Sequence, residues 1–274
     1  MRKELILTIL LLVGIGLNAQ KSIMTYNIRY NNPGDKENWW ENRKQEVADL
    51  IQHYNPDILG IQEGLHDQVT YLGNTLENFS FVGVGRDDGK QKGEYAAIFF
   101  NKKNLELVNT KTYWLSETPD RISVGWDASM ERIVTYAKFK DKGTKKITHV
   151  FNCHYDHIGK LARENSSKLV LELIKKMGIA NERVTVIGDL NSHPEESPIQ
   201  ILKTQLQDGY EISAASAYGP VGTFNGFKPN EKLTRRIDYI LTKNLKVETF
   251  RTIDDRRKNG LYPSDHLPVL VTLD

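Results

Sequence analysis

One repeated pattern constrains this chain more than any other: short apolar runs that stop on an acid, an amide or an imidazole. The clearest is Val184-Thr185-Val186-Ile187-Gly188-Asp189-Leu190-Asn191. A β-branched run of that length suits a buried strand, and Gly188 permits a sharp turn or a close approach by a ligand. Asp189 and Asn191 stand two apart, so in extended backbone they share one face. A carboxylate beside a neutral amide offers a base or metal ligand next to a hydrogen-bond donor and acceptor. Taken alone, Asp-x-Asn after a strand also makes an ordinary turn. Three further apolar strands end in polar residues, and that repetition gives the pattern its weight.

Read in order, Lys21 to Tyr30 alternates as a strand, with Met24, Tyr26 and Ile28 on one face and Thr25, Asn27 and Arg29 on the other. Asn31-Asn32-Pro33-Gly34 signals a turn and Asn38-Trp39-Trp40 an aromatic loop. Val47, Leu50, Ile51 and Tyr54 follow helical spacing, which predicts an amphipathic helix over 42–54, ended by Asn55-Pro56. Asp57 to Glu63 is a second strand ending in an acid, followed by a helix over 65–76. Strands are expected over 79–85, 95–101, 105–115, 133–140 and 147–153, the last running into Cys153-His154-Tyr155-Asp156-His157. A long helix over 160–177 should bury Leu161, Leu169, Leu173, Ile174 and Met177, with Gly178 as its cap. There follow a short helix over 198–206, a Gly-rich loop over 218–227, strands over 236–241 and 245–252 that pair with each other, and a last strand over 267–273. Strands and helices recur from end to end without a repeat or linker, so one layered domain of sheets covered by helices is expected over 20–274.

The first nineteen residues read differently. Arg2 and Lys3 precede an apolar core from Leu5 to Leu17, and Leu17-Asn18-Ala19 makes a cleavage site before Gln20. That run is short for a bilayer span, so residues 1–19 are expected to be a signal peptide directing export to the periplasm or the exterior, rather than a retained anchor. No cysteine near the site offers a lipoprotein anchor. No stable membrane span is expected after processing, and a monomer is expected. Cys153 is the single cysteine, so an exported chain has no internal disulfide and relies on its core. The formal net charge is +2, so binding long nucleic acid would need a local patch rather than a global field.

Asn27, Glu63, His154, Asp189, Asn191, Asp238, Asp265 and His266 end or flank the predicted strands. These carboxylates, amides and imidazoles suit a hard divalent cation together with acid–base groups. Oxygen donors with few histidines favour Mg2+, or Mn2+ or Ca2+, over zinc, and neither HExxH nor paired CxxC occurs. A carboxylate-held cation neutralises phosphate oxygens and favours in-line attack by water. Each residue also has a plain structural reading: Glu63 as a surface acid, His154 as a satisfied strand histidine, Asp265-His266 as a turn.

Jointly and in order, Met24-Thr25-Tyr26-Asn27, Ile61-Gln62-Glu63, Asn152-Cys153-His154, Gly188-Asp189-Leu190-Asn191, Arg236-Ile237-Asp238-Tyr239-Ile240 and Ser264-Asp265-His266 resemble the motifs of the endonuclease/exonuclease/phosphatase superfamily. That superfamily includes pancreatic deoxyribonuclease, abasic-site endonucleases, deadenylases, sphingomyelinases and inositol-phosphate phosphatases. The resemblance implies an α/β (α+β) fold, a four-layer sandwich of two central mixed β-sheets flanked by α-helices, with the site at one edge of the sheets. It implies Glu63 as the main metal ligand, with Asn27 and Asp265 close to the metal. Asp189 would orient or deprotonate the attacking water, and Asn191 would hold that water and a phosphoryl oxygen. His266, paired with Asp238, would contact the phosphate, and His154 would stabilise the phosphate or the departing oxygen. The pairing is physically sound, because a carboxylate fixes the tautomer of an imidazole and stabilises its protonated form.

Departures from the motifs narrow the substrate. Arg236-Ile237-Asp238-Tyr239 is not the Trp-Cys-Asp-Arg of inositol polyphosphate 5-phosphatases, and Asn152-Cys153-His154 replaces the commoner Asn-Thr-His. Cys153 then reads as a small buried residue, and its strand neighbour His154 faces the other way, against a nucleophilic pair. Segments 85–89, 114–119, 125–127 and 222–227 look like those of secreted bacterial members. Trp39, Trp40, Trp126 and Phe224 offer either a stacking wall for a base or sugar or plain loop packing. Arg121, Arg132 and Arg163 are candidate phosphate contacts by chemistry. The expectation is an exported, metal-dependent hydrolase cleaving a phosphate ester, a phosphodiesterase or phosphatase, with a small molecule or a nucleic acid as substrate and the near-neutral charge giving the small ester at least equal weight. The alternatives are a nuclease on DNA or RNA and a catalytically silent phosphate-binding module on the same fold; the intact acid, amide and histidine set argues against the latter.

Overall fold

A computed structural model describes residues 21–274, and the expected signal peptide over 1–19 lies outside the described residues. In chain order the elements are β1 (Lys21–Asn27), a 3-10 stretch (Pro33–Asn38), α1 (Trp40–Tyr54), β2 (Ile58–Gln62), α2 (His66–Thr75), β3 (Phe79–Val82), β4 (Ile98–Asn101), β5 (Leu105–Trp114), β6 (Ile133–Asp141) and β7 (Ile147–His154). They continue with α3 (Lys160–Lys176), β8 (Val184–Asp189), α4 (Ser197–Lys203), β9 (Gln207–Asp208), α5 (Gly209–Ile212), β10 (Asp238–Lys243), β11 (Val247–Thr252) and β12 (Val269–Leu273). Two six-stranded sheets result, ordered β11-β12-β1-β2-β4-β3 and β5-β6-β7-β8-β10-β9. Both are mixed. β1 runs parallel to β2 and β7 parallel to β8, and each parallel pair is joined by a crossover carrying a long helix, α1 or α3, as parallel pairing requires.

The apolar runs are continuous because both faces of these strands are buried. In β1, Ile23 faces the other sheet while Met24 and Tyr26 face α1 and α2; in β8, Ile187 faces inward and Val186 faces α3. The outer layer on the first sheet packs through Trp40, Val47, Ile51, Val69 and Leu72. The outer layer on the second packs through Val170, Leu173, Ile174, Ile199 and Leu202. The inner layer joins Ile23, Ile58, Phe100, Phe139, Val150 and Ile240. The four-layer sandwich of two mixed sheets flanked by helices is therefore the fold.

Several local expectations are corrected. Strands 236–241 and 245–252 do not pair: β10 pairs with β8 and β9, whereas β11 pairs with β12 in the other sheet. The chain changes sheets between them at Asn244, in the left-handed region at φ 54°, with its side chain donating to the carbonyls of Asn181 and Glu182. Leu161 is 51% exposed rather than buried, because the inward stripe of α3 runs through Ala162, Ser166, Val170 and Ile174. Trp40 opens α1 inside the core instead of standing in a loop.

Toward the site, the inner layer changes from apolar to amide. Gln62 Nε2 donates to Asn152 Oδ1 (2.6 Å), and Asn152 Nδ2 donates to the carbonyls of Ile61 (2.9 Å) and Ala97 (2.8 Å), all fully buried. These bonds lock one sheet to the other directly beneath Glu63 and His154. A cavity of about 740 Å³, lined by Lys21, Asp57, Phe139 and Arg183, lies at the opposite end of the strands, away from this chemistry.

Candidate active site

Topology assembles the site. Asn27 ends β1, Glu63 follows β2, His154 ends β7 and Asp189 ends β8. Asp238 begins β10, antiparallel to β8 and in register with Asp189. Asp265 and His266 precede β12, which is antiparallel to β1. All seven polar groups thus reach one edge of the sandwich. Asn191 joins them differently from expectation. Its backbone is left-handed (φ 46°) rather than extended; its N–H donates to Asp189 Oδ1 (2.9 Å) and its Nδ2 to the Tyr155 carbonyl (3.0 Å). Arg29 (φ 57°) and Glu63 (φ 63°) are also left-handed, a conformation uncommon for non-glycine residues.

Asp189 is the hub. Asn27 Nδ2 donates both to its Oδ2 and to Glu63 Oε1, each at 3.0 Å. His154 Nε2 and His266 Nε2 each stand 3.7 Å from the same Oδ2. His266 Nδ1 is 2.9 Å from Asp238 Oδ2, and that oxygen also accepts from Thr223 Oγ1 at 2.6 Å. Burial works against a charged His266, but attraction from Asp238 and Asp189 outweighs it and holds the imidazole up at about 10. His154 goes the other way: burial, then the Arg132 charge, push it down to about 3. The two imidazoles therefore differ in kind, one a cation and one a neutral ring. Burial raises both Asp189 and Asp265, so each carboxyl holds its proton more readily than an exposed acid.

Two acid groupings suit a cation. Glu63 and Asp265 flank the Arg29 guanidinium at 3.8 and 3.9 Å; Glu63 Oε2 is steadied by the Tyr30 N–H (3.1 Å). Asp189, Asp238 and His266 offer one ligand atom each, all within 4.8 Å of one another, and Asp238 Oδ1 is buried without a hydrogen-bond partner. Both sets are rich in oxygen donors, which fits a hard divalent ion. In the second set, however, His266 Nδ1 is already committed to Asp238.

Of the aromatic wall, Phe224 stands edge-on to His266 at 5.0 Å between centroids. Trp40 is core, and Trp39 Nε1 donates to Asn31 at 2.6 Å. Arg121 is exposed, and Arg163 Nη1 donates to the Asp156 carbonyl (3.2 Å). Arg132, by contrast, is buried against His154. Sequence reading gave no site role to Arg29, Glu94, Asp156, His157 or Thr223. Glu94 Oε2 lies 3.5 Å from His154 Nδ1 and is held bidentately by Arg86. Glu94 and Thr223 sit in loops whose composition carries no periodic signal; Asp156 and His157 adjoin the His154 motif and offered the one usable hint.

Comparison with known proteins finds relatives in sequence and fold. A mannosyl-6-phosphatase from Bacteroides thetaiotaomicron is 35% identical, with TM-score 0.88 over 93% of this chain and 99% of that one. An endonuclease/exonuclease/phosphatase family protein from the same organism is also 35% identical, with TM-score 0.88 over 93% and 97%. An uncharacterized protein, L388, of Acanthamoeba polyphaga mimivirus is 30% identical over 161 residues, 56% of this chain; the match spans 59% of that protein's length. The Endonuclease/Exonuclease/phosphatase family matches residues 24–266, and the chain belongs to that family.

Proposed function

We propose that this chain is an exported, metal-dependent hydrolase of a small phosphate ester. The observation that carries the reading is Asp189: a buried carboxylate bridged by Asn27 to Glu63 and faced at 3.7 Å by two imidazoles of opposite character. Glu63 and Asp265, with Asn27 beside them, would hold the divalent cation. When bound, it would supply positive charge to the phosphoryl oxygens. Asp189 takes the proton of the attacking water, and its raised proton affinity supports that role. Asn191 holds the water in line. His266, cationic and oriented by Asp238, donates to a phosphoryl oxygen, while neutral His154, beside the Arg132 guanidinium, would stabilise the phosphate or the departing oxygen. Export rests on Arg2, Lys3, the Leu5–Leu17 core and Ala19.

The likeness to a mannosyl-6-phosphatase and the near-neutral charge favour a phosphorylated sugar over a nucleic acid. The test is a panel of esters (mannose 6-phosphate, glycerol 3-phosphate, bis(p-nitrophenyl) phosphate and single-stranded DNA) assayed with magnesium, manganese and calcium. Phosphate release from a small ester that stops with excess chelator is expected. Release that persists in chelator would overturn metal dependence. Tight phosphate binding without cleavage of any ester would make the chain a silent binding module.

A further inference from the structure

Beyond His154 lies a second histidine that the chemistry above does not use. Arg132 is only 4% exposed. Its Nε donates to Asp156 Oδ2 (3.2 Å), its Nη1 lies 3.2 Å from His154 Nε2, and its Nη2 is 2.8 Å from His157 Nδ1. A guanidinium has donors only, so His157 Nδ1 is the acceptor and the ring proton of the neutral imidazole sits on Nε2. Asp156 fixes the guanidinium in turn. Its Oδ2 also accepts from Ser129 N–H (3.1 Å) and Oγ (2.7 Å), and its Oδ1 accepts from the N–H groups of Ile158 (2.9 Å) and Gly159 (2.7 Å).

Asp156 and Arg132, which lead to His157, are therefore buried and hydrogen-bonded. His157 itself is exposed, and its Nε2 makes no hydrogen bond among the described residues. Orienting an exposed ring costs side-chain freedom that folding does not need to give up, whereas a preoriented donor gains affinity for a ligand. The order of groups indicates which part of a ligand meets it. Contacts run from Glu63 through Asn27 to Asp189, and from Asp189 through His154 and Arg132 to His157. Phosphate charge belongs with the cation end, so the alcohol half of the ester extends toward His157.

We propose that His157 is a specificity-determining residue whose Nε2–H donates a hydrogen bond to a hydroxyl of a phosphorylated sugar or polyol, with Arg132 as the residue that positions it. The inference rests on the phosphate-ester reading above. The test is steady-state kinetics of the mature chain with magnesium on mannose 6-phosphate, glycerol 3-phosphate and p-nitrophenyl phosphate, whose aryl group has no hydroxyl. His157→Ala should lower kcat/KM on the better polyol ester about tenfold more than on the aryl ester, mainly through KM, the size of one lost hydrogen bond. His157→Gln, which keeps an N–H at a similar reach, should recover most of the difference. Arg132→Lys, which loses the fork, should show the same extra loss on the polyol ester. Equal losses on both ester types, no loss, or a wild type that cleaves only the aryl ester would overturn the inference alone. A wild type that cleaves no ester would overturn the phosphate-ester reading and this inference with it.

Discussion

Asp238 and His266 lie far apart in sequence and meet as a buried pair, so their joint removal is the sharpest test of the site's wiring. Asp238 Oδ2 accepts from His266 Nδ1 at 2.9 Å and from Thr223 Oγ1 at 2.6 Å, and the two residues are 0% and 4% exposed. A hydrogen bond to a charged group contributes about 1.5–3 kcal/mol, or roughly tenfold to a hundredfold in rate if it is made fully in the transition state. Asp238→Asn keeps the shape but removes the charge that orients and protonates His266. It should lower kcat by about that factor. His266→Ala should cost about a hundredfold or more, as expected for a positioned acid–base group. The double mutant should then fall little below His266→Ala, because without the imidazole the carboxylate has nothing left to orient. The assay is kcat on the best ester for wild type, both singles and the double, with thermal unfolding run alongside to exclude loss of fold. Losses that multiply in full would show that the two residues act independently and would refute the reasoning.

Further predictions concern the scaffold and the leader. Gly188→Ala should destabilise by about 3 kcal/mol or more, read as a lower denaturant midpoint: the residue sits at φ 135°, and an added Cβ would lie 2.0 Å from the Cys153 carbonyl oxygen. Asn152→Ala should cost about 2–5 kcal/mol by the same measurement, since it strands the Gln62 donor and the bonds to the Ile61 and Ala97 carbonyls at the sheet interface. Protein recovered from its native host should begin near Gln20 on N-terminal sequencing; an intact Met1 form held in membrane would show the leader to be an anchor.

The fold was legible because the strands carry their own evidence. Ile58 to Gln62 and Val184 to Asp189 are continuous apolar runs, which only a strand buried on both faces needs, and the polar residue at each end marks the shared edge. Strand partnership was not legible. Nothing local tells β10 and β11 that they belong to different sheets, because that choice is made by the inner layer holding Ile240, Val247 and Phe250 together. The polar residues that strands deliver to the shared edge were legible in the sequence. Those that loops bring beside them were not: Thr223 meets Asp238 and Glu94 lies beside His154 from loops, and such contacts leave no period in a sequence. Asn191 was found for an incorrect reason, since it reaches Asp189 through a left-handed turn and not along a strand face. Leu161 misled because apolar character at a helix start does not fix which way the stripe faces.

The central claim is that Glu63 anchors a divalent cation on which phosphate-ester cleavage depends. Its most direct test is isothermal titration of Mg2+ into wild type and Glu63→Gln, paired with turnover of the same preparations. Glu63 Oε1 and Oε2 accept from Asn27 Nδ2 and the Tyr30 N–H at 3.0 and 3.1 Å, so the amide keeps the shape while removing the charge. The account predicts that Mg2+ affinity and turnover fall together while the unfolding temperature is unchanged. Wild-type affinity and turnover in Glu63→Gln would contradict it.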